Sequence, residues 1–434
     1  MKMSTHKHRH RHADMLSVEE AYERIMTYFA PLDVEPKPIL EALGQVLAVD
    51  IRAEFDIPLV TNSAMDGYAV RHMDTNGVST QSPKLLKVLG IVAAGMVPTQ
   101  EVTLGTALRI MTGAPVPYGA DCVVPFEETD EIDRKRQALS LDHIGICYEQ
   151  SKGNHIRPAG EDIRQGSLAL EKGCTIRQAE IGVLASLGLN EVHVIRRPVV
   201  AILATGDELI HVGEQIANGK TYDSNSFGLA AAVQSCGGVP RILGIAKDNL
   251  NDLNEKLEQG LSADLLLTSA GVSRGDYDIV KDALMERGEI GFWSVRMRPA
   301  KPLAFGVIKG PNGMAVPHLG LPGNPVSAMV AFEEFGRPAI LHMLGKRKLR
   351  RPVIEAVLEG SIHNDDGRRV FARVQVNKRG DTYYATPTGP QGSNVLSSMS
   401  KANGLALCPE EVPVMKENDR VIVKMLDWNE EVDI

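Results

Sequence analysis

The segment Leu265–Lys281, LLLTSAGVSRGDYDIVK, combines groups that bind anions with groups that bind metals. Its leucines are typical of a strand buried on both faces, and the amides and hydroxyls of the polar loop after them can hold an oxyanion. Asp276 and Asp278 add hard oxygen ligands of the kind that Mg²⁺ prefers beside substrate phosphates. A phosphorylated ligand bound with a divalent cation is one interpretation. An ordinary strand-to-helix connection, whose aspartates cap the helix, is the other.

Two later segments bring positive charge and free amides. MRPAKPLAFG places Arg298 and Lys301 on a stretch stiffened by proline, where fixed cations can grip an anion at a low entropic cost. LPGNPVSA brings Gly323 and Asn324 to the start of a helix, whose unpaired amides attract negative charge. Taken alone, the prolines of this motif could simply initiate that helix.

Alternating strand and helix patterns from residue 197 onward must position these groups. They favour a parallel sheet with crossover helices, and ligands of such sheets bind outside the carboxyl ends of the strands. We therefore expect the strand-end residues to form one site that suits a cation with a phosphate. Its predicted members are Thr205, Gly206, Asp207, Glu208, Ser224, Ser226, Asp248, Thr268, Ser269, Ser273, Asp276, Asp278, Arg298, Lys301, Pro322, Gly323, Asn324, Pro325 and Ser327.

Other regions of the chain predict supporting elements. Short β-like runs over residues 70–150 indicate a small β-rich module, and alternating runs over residues 350–434 indicate an antiparallel β domain or barrel. Ser17 and Glu20 predict a capping box that starts a helix. Further helices are predicted over residues 39–43 and 326–344, and Ser224 or Ser226 is the expected cap of the helix that follows.

Composition limits the classes of function. A chain of 434 residues with 43% apolar content is long enough for more than one domain. The formal charge of −8 argues against a general nucleic-acid binder. The longest apolar runs fall short of the roughly 18 residues that span a membrane, so no membrane partner is expected. The five cysteines are widely spaced and form no paired-ligand motif, which predicts reduced thiols and a cytoplasmic location.

Ordered motifs across most of the chain resemble the molybdopterin molybdenumtransferase family, which includes the C-terminal domain of gephyrin. The motifs are PLVTNSAMDGYA, RIMTGAPVP, IRPAGEDI, LATGDEL, DSNS, AGVSRGDYDIVK, MRPAKPLAFG and LPGNPVSA. The resemblance implies that molybdate is inserted into adenylylated molybdopterin with the help of Mg²⁺, releasing AMP and active molybdenum cofactor. It also implies a homodimer that handles small-molecule substrates, with other molybdopterin-handling enzymes as possible partners.

The resemblance assigns roles to individual residues. Asp66, in SAMDGYA, matches an essential aspartate, which would reach the site from the partner subunit, and Asn225, in DSNS, falls in a substrate-binding motif. Glu208 and Asp278 match active-site carboxylates, and Asp248 matches another functional acidic position. Glu208, Asp276 and Asp278 are the expected Mg²⁺ ligands. The expected oxyanion site consists of Ser269, Ser273, Arg298, Lys301 and Ser327.

The same resemblance implies an α/β multidomain fold. Its expected parts are a discontinuous linker domain (15–52 and 152–181), an inserted β-rich domain (53–151), an α/β molybdopterin-binding domain with a parallel sheet (182–345) and a C-terminal β-barrel-like domain (346–434). Two other functions remain open. One is a scaffold that binds a partner on this fold without catalysis, and the other is a molybdopterin adenylyltransferase.

Three residues depart from the family pattern. Ala270 and Ala300 stand where glycine is common, and Arg274 replaces a small or apolar residue. A methyl group in a loop with positive φ costs about 1 kcal/mol or more, so these loops either avoid that conformation or are slightly reshaped. Arg274 could strengthen phosphate binding or form a weak surface ion pair. Selectivity between molybdate and tungstate is left open by these changes.

Overall fold

A computed structural model of the chain describes residues 15–247, 249–270, 279–310, 313 and 315–432. The predicted site residues Asp248, Ser273, Asp276 and Asp278, together with Arg274, lie outside the described residues. The chain divides into two units. The inserted unit consists of residues 38–43 and 49–192, and the sheet-and-barrel unit consists of the residues up to 37, residues 44–48 and those from 193 onward. The finer domain boundaries given above stay a prediction.

Helices and strands are distributed along both units. The helices are α1 (Val18–Met26), α2 (Glu131–Arg136), α3 (Gln178–Ser186), α4 (Ser224–Ser235), α5 (Leu250–Gly260), α6 (Ile279–Arg287), α7 (Pro325–Ala331), α8 (Arg337–Met343) and α9 (Leu396–Ser400). The strands are β1 (Val34–Pro38), β2 (Ile51–Arg52), β3 (Asn62–Ser63), β4 (Gly67–Val70), β5 (Lys84–Val92), β6 (Thr106–Ile110), β7 (Cys122–Pro125), β8 (His143–Ile146), β9 (Ile156–Arg157), β10 (Leu168–Leu170), β11 (Glu191–Ile195), β12 (Val199–Thr205), β13 (Leu209–Ile210), β14 (Thr221–Tyr222), β15 (Val239–Ala246), β16 (Leu265–Ser269), β17 (Gly288–Ser294), β18 (Met297–Arg298), β19 (Pro302–Lys309), β20 (Ala315–Leu321), β21 (Val353–Leu358), β22 (Ile362–His363), β23 (Arg369–Arg379), β24 (Thr382–Pro387), β25 (Gly404–Cys408), β26 (Val414–Met415) and β27 (Arg420–Met425).

Helix ends test several sequence predictions. The capping box of α1 is confirmed, because Glu20 N donates to Ser17 Oγ at 3.0 Å and Ser17 N donates to Glu20 Oε2 at 2.7 Å. The helix predicted over residues 39–43 is wrong, since that segment forms turns. The long helix predicted over 326–344 is interrupted by a π-helical segment, Phe332–Gly336. Pro338, within the first turn of α8, has no amide hydrogen to continue regular helical bonding, which fits this change of register.

The central sheet of the sheet-and-barrel unit has the order β15-β12-β16-β20-β19-β17. Its first four strands are mutually parallel, as the sequence predicts. The last two pair antiparallel because β19 and β20 are joined directly, without a crossover helix. Both faces are covered: Val200 and Leu267 pack in one apolar layer, whereas Ala201 and Leu266 pack in the layer that includes α5. This double burial explains the continuous apolar runs of β12 and β16.

The remaining sheets confirm the two β-rich regions. In the inserted unit, β7, β4, β6, β5 and β8 form a five-stranded sheet around Tyr68, Leu86 and Val124. After α8, strands β23, β24, β21, β27 and β25 close into a barrel through the pairing of β25 with β23. The short strand β18 pairs with β23. No helix among the described residues is both long and apolar enough to cross a membrane.

Candidate active site

A cavity of about 600 Å³ lies at the carboxyl ends of the central parallel strands. The loops after β12, β16 and β20 and the first residues of α4 and α7 supply most of its walls. It is lined by Glu208, Leu209, Thr221, Tyr222, Asp223, Ser224, Asn225, Ala270, Pro302, Pro322, Gly323, Asn324, Pro325 and Asn394. Of the predicted site residues, Glu208, Ser224, Asn225, Pro322, Gly323, Asn324 and Pro325 are therefore brought together.

Asn225 joins the loops that form this cavity. Its Nδ2 donates to Ser269 Oγ at 2.6 Å and to the carbonyl oxygen of Gly323 at 2.7 Å. A carbonyl oxygen can only accept, so these bonds fix the orientation of the amide. Asn225 Oδ1 is then left as a hydrogen-bond acceptor at the cavity.

The N-terminus of α4 is capped by Asp223, a residue that the sequence reasoning missed. Its Oδ1 accepts from the backbone nitrogen of Ser226 at 3.0 Å. The prediction of Ser224 or Ser226 as the cap is therefore wrong. Aspartate is an equally favoured cap residue, and Asp223 immediately precedes Ser224. Ser226 Oγ is buried and has no hydrogen-bond partner among the described residues.

Glu208 depends on a glycine for the position of its carboxylate. Gly206 has a φ of +139°, and a Cβ atom on it would lie 2.5 Å from Glu208 Oε2. A side chain at residue 206 would have to displace the carboxylate. Asp207 does not line the cavity, and its backbone carbonyl oxygen accepts a hydrogen bond from Lys220 Nζ at 2.5 Å.

Several predicted hydroxyl residues lie beneath the cavity and do not line it. Thr205, Thr268, Ser269 and Ser327 are buried. Thr268 Oγ1 is 2.9 Å from Nε2 of His318, and Thr205 Oγ1 donates to the carbonyl oxygen of Ser269 at 3.4 Å.

His318 was missed by the sequence reasoning, because a lone histidine in an apolar strand carries no functional signal. Its ring is buried in β20. Burial lowers the pKa of His318 to about 3, so the imidazole is neutral at ordinary pH. The Nδ1 atom has no hydrogen-bond partner among the described residues.

The two predicted cations, Arg298 and Lys301, are not among the residues that line the cavity. Arg298 lies in β18, with Nη1 3.9 Å from Asp365 Oδ2, and Lys301 is exposed. Arg373 was missed: it is buried in β23, where Nη2 donates to the carbonyl oxygen of Gly392 at 3.1 Å. Burial, with the charge of Arg298, lowers the pKa of Arg373 to about 10. Arg373 thereby holds the loop that contributes Asn394 to the cavity.

Asp66 lies in the inserted unit, before β4. Its Oδ1 accepts from the backbone nitrogen of Thr112 at 2.6 Å and from Thr112 Oγ1 at 2.7 Å. These bonds, the backbone bond first, hold the pKa of Asp66 below its usual value. The exposed carboxylate is thus ionised and suited to bind cations. Thr112 was not singled out, although its motif RIMTGAPVP was.

Ala270 and Ala300 resolve one alternative left by the sequence. Their φ angles are +82° and +74°, so both loops keep the left-handed conformation that glycine favours. The alternative in which these loops avoid that conformation is therefore excluded. Both alanines therefore carry backbone strain.

Comparison with known proteins places this architecture in one family. The profile of the MoeA N-terminal region (domain I and II) matches residues 16–188, that of a probable molybdopterin binding domain matches 201–342, and that of the MoeA C-terminal region (domain IV) matches 355–426. The chain is 38% identical over 382 residues to molybdopterin molybdenumtransferase 2 of Mycobacterium tuberculosis, covering 86% of this chain and 91% of that protein.

Two further proteins extend the similarity. The molybdopterin molybdenumtransferase of a Nostoc species is 33% identical over 430 residues, covering 97% of this chain and 96% of its own. The crystal structure of a molybdopterin biosynthesis MoeA protein from Pyrococcus horikoshii superposes with a TM-score of 0.79 at 31% identity, covering 95% of this chain and all of that one. The chain therefore belongs to the molybdopterin molybdenumtransferase family.

Proposed function

We propose that this chain inserts molybdate into adenylylated molybdopterin, releasing AMP and active molybdenum cofactor. The observation that carries the proposal is the cavity at the carboxyl ends of the parallel strands. Its volume of about 600 Å³ lies within the range of small-molecule sites. Two relatives that align with this chain over 91% and 96% of their own length carry the name of this activity.

The walls of the cavity differ in chemistry. On one side, Glu208, Asp223 and Asn225 Oδ1 present oxygen acceptors. Elsewhere the lining is largely apolar. The start of α7 adds few donors, because Pro325 has no N–H and Val326 N donates to the carbonyl oxygen of Ser393 at 3.1 Å. A ligand that carries both hydrogen-bond donors and heterocyclic rings, as a nucleotide-linked pterin does, fits such a division.

Mg²⁺ belongs to the same proposal. The carboxylate of Glu208 and the neighbouring oxygens of Asp223 and Asn225 are donors of the type that Mg²⁺ prefers, so their chemistry fits the ion. Within the described residues, no group of three or more histidine, cysteine, aspartate or glutamate side chains is arranged to hold a metal ion. We propose Glu208 as a ligand together with Asp276 and Asp278. When bound, Mg²⁺ would neutralise charge on the pyrophosphate linkage.

The remaining roles are proposed from the family resemblance. Ser269, Ser273, Arg298, Lys301 and Ser327 are proposed to hold molybdate, because a tetrahedral dianion needs several donors and a positive field. Asp248 and Asp66 are proposed as functional carboxylates, and the ionised state of Asp66 supports a role as cation ligand. A homodimer, a cytoplasmic location and contact with molybdopterin-handling enzymes complete the proposal.

The test is reconstitution with purified components. Wild-type chain, adenylylated molybdopterin, molybdate and Mg²⁺ should release AMP and yield cofactor that activates an apo-molybdoenzyme. Glu208→Gln should lower the rate by about 100-fold, the scale of a lost charged group at a reacting centre. The matched control is Glu214→Gln, because Glu214 is exposed nearby but does not line the cavity. Equal rates in both variants would remove Glu208 from the mechanism.

A parallel incubation separates insertion from adenylylation. With ATP and molybdopterin, an adenylyltransferase releases pyrophosphate, whereas the proposed transferase does not. Release of pyrophosphate by the wild-type chain at the rate of cofactor formation would favour the adenylyltransferase.

A further inference from the structure

Positive φ angles at residues other than glycine mark sites where backbone strain is retained. In the described part of the chain these residues are Ala138, His155, Ala270, Ala300 and Asn418. Of these residues, Ala270 alone lines the candidate active-site cavity. Strain of about 1–2 kcal/mol at such a residue persists only where the surroundings hold it, and it concentrates at functional sites.

The loops around Ala270 hold it in place. Its backbone nitrogen donates to the carbonyl oxygen of Leu321 at 3.0 Å. Asn225 bonds Ser269 on one side of Ala270 and Gly323 on the other. A Cβ atom on Gly323 would lie 3.2 Å from the Cβ of Ala270. The methyl group therefore occupies the space beside Gly323, at the junction of two strand-end loops.

The methyl group joins an apolar part of the cavity wall. Leu209, Tyr222, Pro302, Pro322 and Pro325 also line the cavity. Such a surface suits a flat heterocyclic ring and offers nothing to a hydrated oxyanion. The charged residues proposed for molybdate, Arg298 and Lys301, do not line this cavity.

We propose that Ala270 is a specificity-determining residue whose methyl group contacts the flat heterocyclic part of the substrate and sets the width of the cavity there. The inference rests on the proposed function and deepens it. The ring can come from the pterin or from the adenine of the adenylylated substrate. Discrimination between molybdate and tungstate is not assigned to Ala270, because two tetrahedral dianions present the same chemistry to a methyl group.

The first experiment compares Ala270→Gly with Ala138→Gly in the full-length chain. Ala138 also has a positive φ, but it is exposed in the inserted unit and lines no part of the cavity. Ala270→Gly should raise KM for adenylylated molybdopterin about three- to fourfold, the equivalent of about 0.8 kcal/mol for one buried carbon. Half-saturation by molybdate should stay within twofold. Ala138→Gly should change neither constant, and neither variant should lower the denaturation midpoint.

Calorimetry with AMP and with molybdopterin separately identifies the ring. The probe whose Kd rises in Ala270→Gly is the one that contacts the methyl group. Unchanged Kd values for both probes, with a denaturation midpoint equal to or above wild type, would reduce the methyl group to a structural feature and overturn the proposal. A wild-type chain that binds these probes but forms no cofactor would refute the proposed function instead, while the Kd comparison still decides the role of Ala270.

A double substitution provides an independent check on the geometry. Gly323→Ala should weaken binding of the responding probe in the wild-type background, because the added Cβ meets the methyl group of Ala270. In the Ala270→Gly background the same substitution should cost less, since that contact is gone. Equal losses in both backgrounds contradict the assigned contact.

Discussion

Asp66 and Glu208, the functional carboxylates proposed in the two units, are held in opposite ways. Asp66 receives two hydrogen bonds on a single oxygen from Thr112, and its backbone carbonyl accepts from Phe126 N at 3.1 Å. The carboxylate of Glu208 accepts no hydrogen bond from the residues that the structure describes and lies against Gly206 instead. The contrast teaches that Asp66 has a fixed position and charge, whereas Glu208 is free to bind a ligand that supplies its partners.

The largest expected effect comes from removing the space that Glu208 uses. Gly206→Ala should lower the rate of cofactor formation by about 10- to 100-fold, the range for a misplaced ligand group. Its added Cβ meets the carboxylate of Glu208. Gly213→Ala is the control, because Gly213 also has a positive φ, +96°, but has open space at its Cβ position.

Steady-state kinetics of the double variant sharpen this prediction. If Gly206→Ala acts through Glu208, then combining it with Glu208→Gln should cost little more than Glu208→Gln alone. Full additivity of the two losses would show that Gly206 acts independently of the carboxylate.

A smaller effect is expected from loosening Asp66. Thr112→Val removes the hydroxyl bond but keeps the backbone bond, so the pKa of Asp66 should rise toward its ordinary value. The acid limb of the pH profile of kcat/KM should then move to higher pH. A carboxylate with a higher pKa is protonated, and so inactivated, at a higher pH than one whose pKa is lowered. The rate should fall by about tenfold, the equivalent of one hydrogen bond to a charged group.

Thr112→Ser keeps the hydroxyl and serves as the control for that profile. Its acid limb should coincide with that of the wild type. If the acid limb of the pH profile is unchanged in Thr112→Val, the pH dependence of activity does not come from Asp66.

The smallest effect concerns the buried histidine beneath the cavity. The pKa of His318 is about 3 in the folded chain, against 6.5 for the free side chain. The unfolded chain therefore binds the extra proton between these values, and the free energy of unfolding should fall as pH drops below 6.5. The slope is up to about 1.4 kcal/mol per pH unit for one proton.

Urea unfolding of wild type and His318→Gln at pH 7 and pH 5 measures this slope. The variant should lose less stability than the wild type on acidification, by up to about 2 kcal/mol over that interval. Parallel curves for the two proteins would mean that His318 does not titrate in the unfolding equilibrium.

Much of the architecture could be predicted because its signals are local. The apolar run of β16, the capping box of α1 and the alternating pattern of the barrel strands each follow from short-range periodicity. Carboxyl ends of parallel strands share one edge of a sheet, so the convergence of Glu208, Ser224 and Gly323 could also be predicted. The turns at residues 39–43 were predicted as a helix, because a short apolar run does not distinguish a helix from a turn.

The amino-acid sequence by itself determined the family, the order of the elements and the edge of the sheet where ligands meet. Only the tertiary structure decided which hydroxyls face the cavity and which are buried, because a side chain's direction depends on neighbours that are distant in sequence. Thr268 is buried and pairs with His318, and Asn394 reaches the cavity from the loop between β24 and α9. The positive φ of Ala270 was likewise settled by packing, since the surrounding hydrogen bonds tie its own segment to two others, at Asn225 and at residues 321–323.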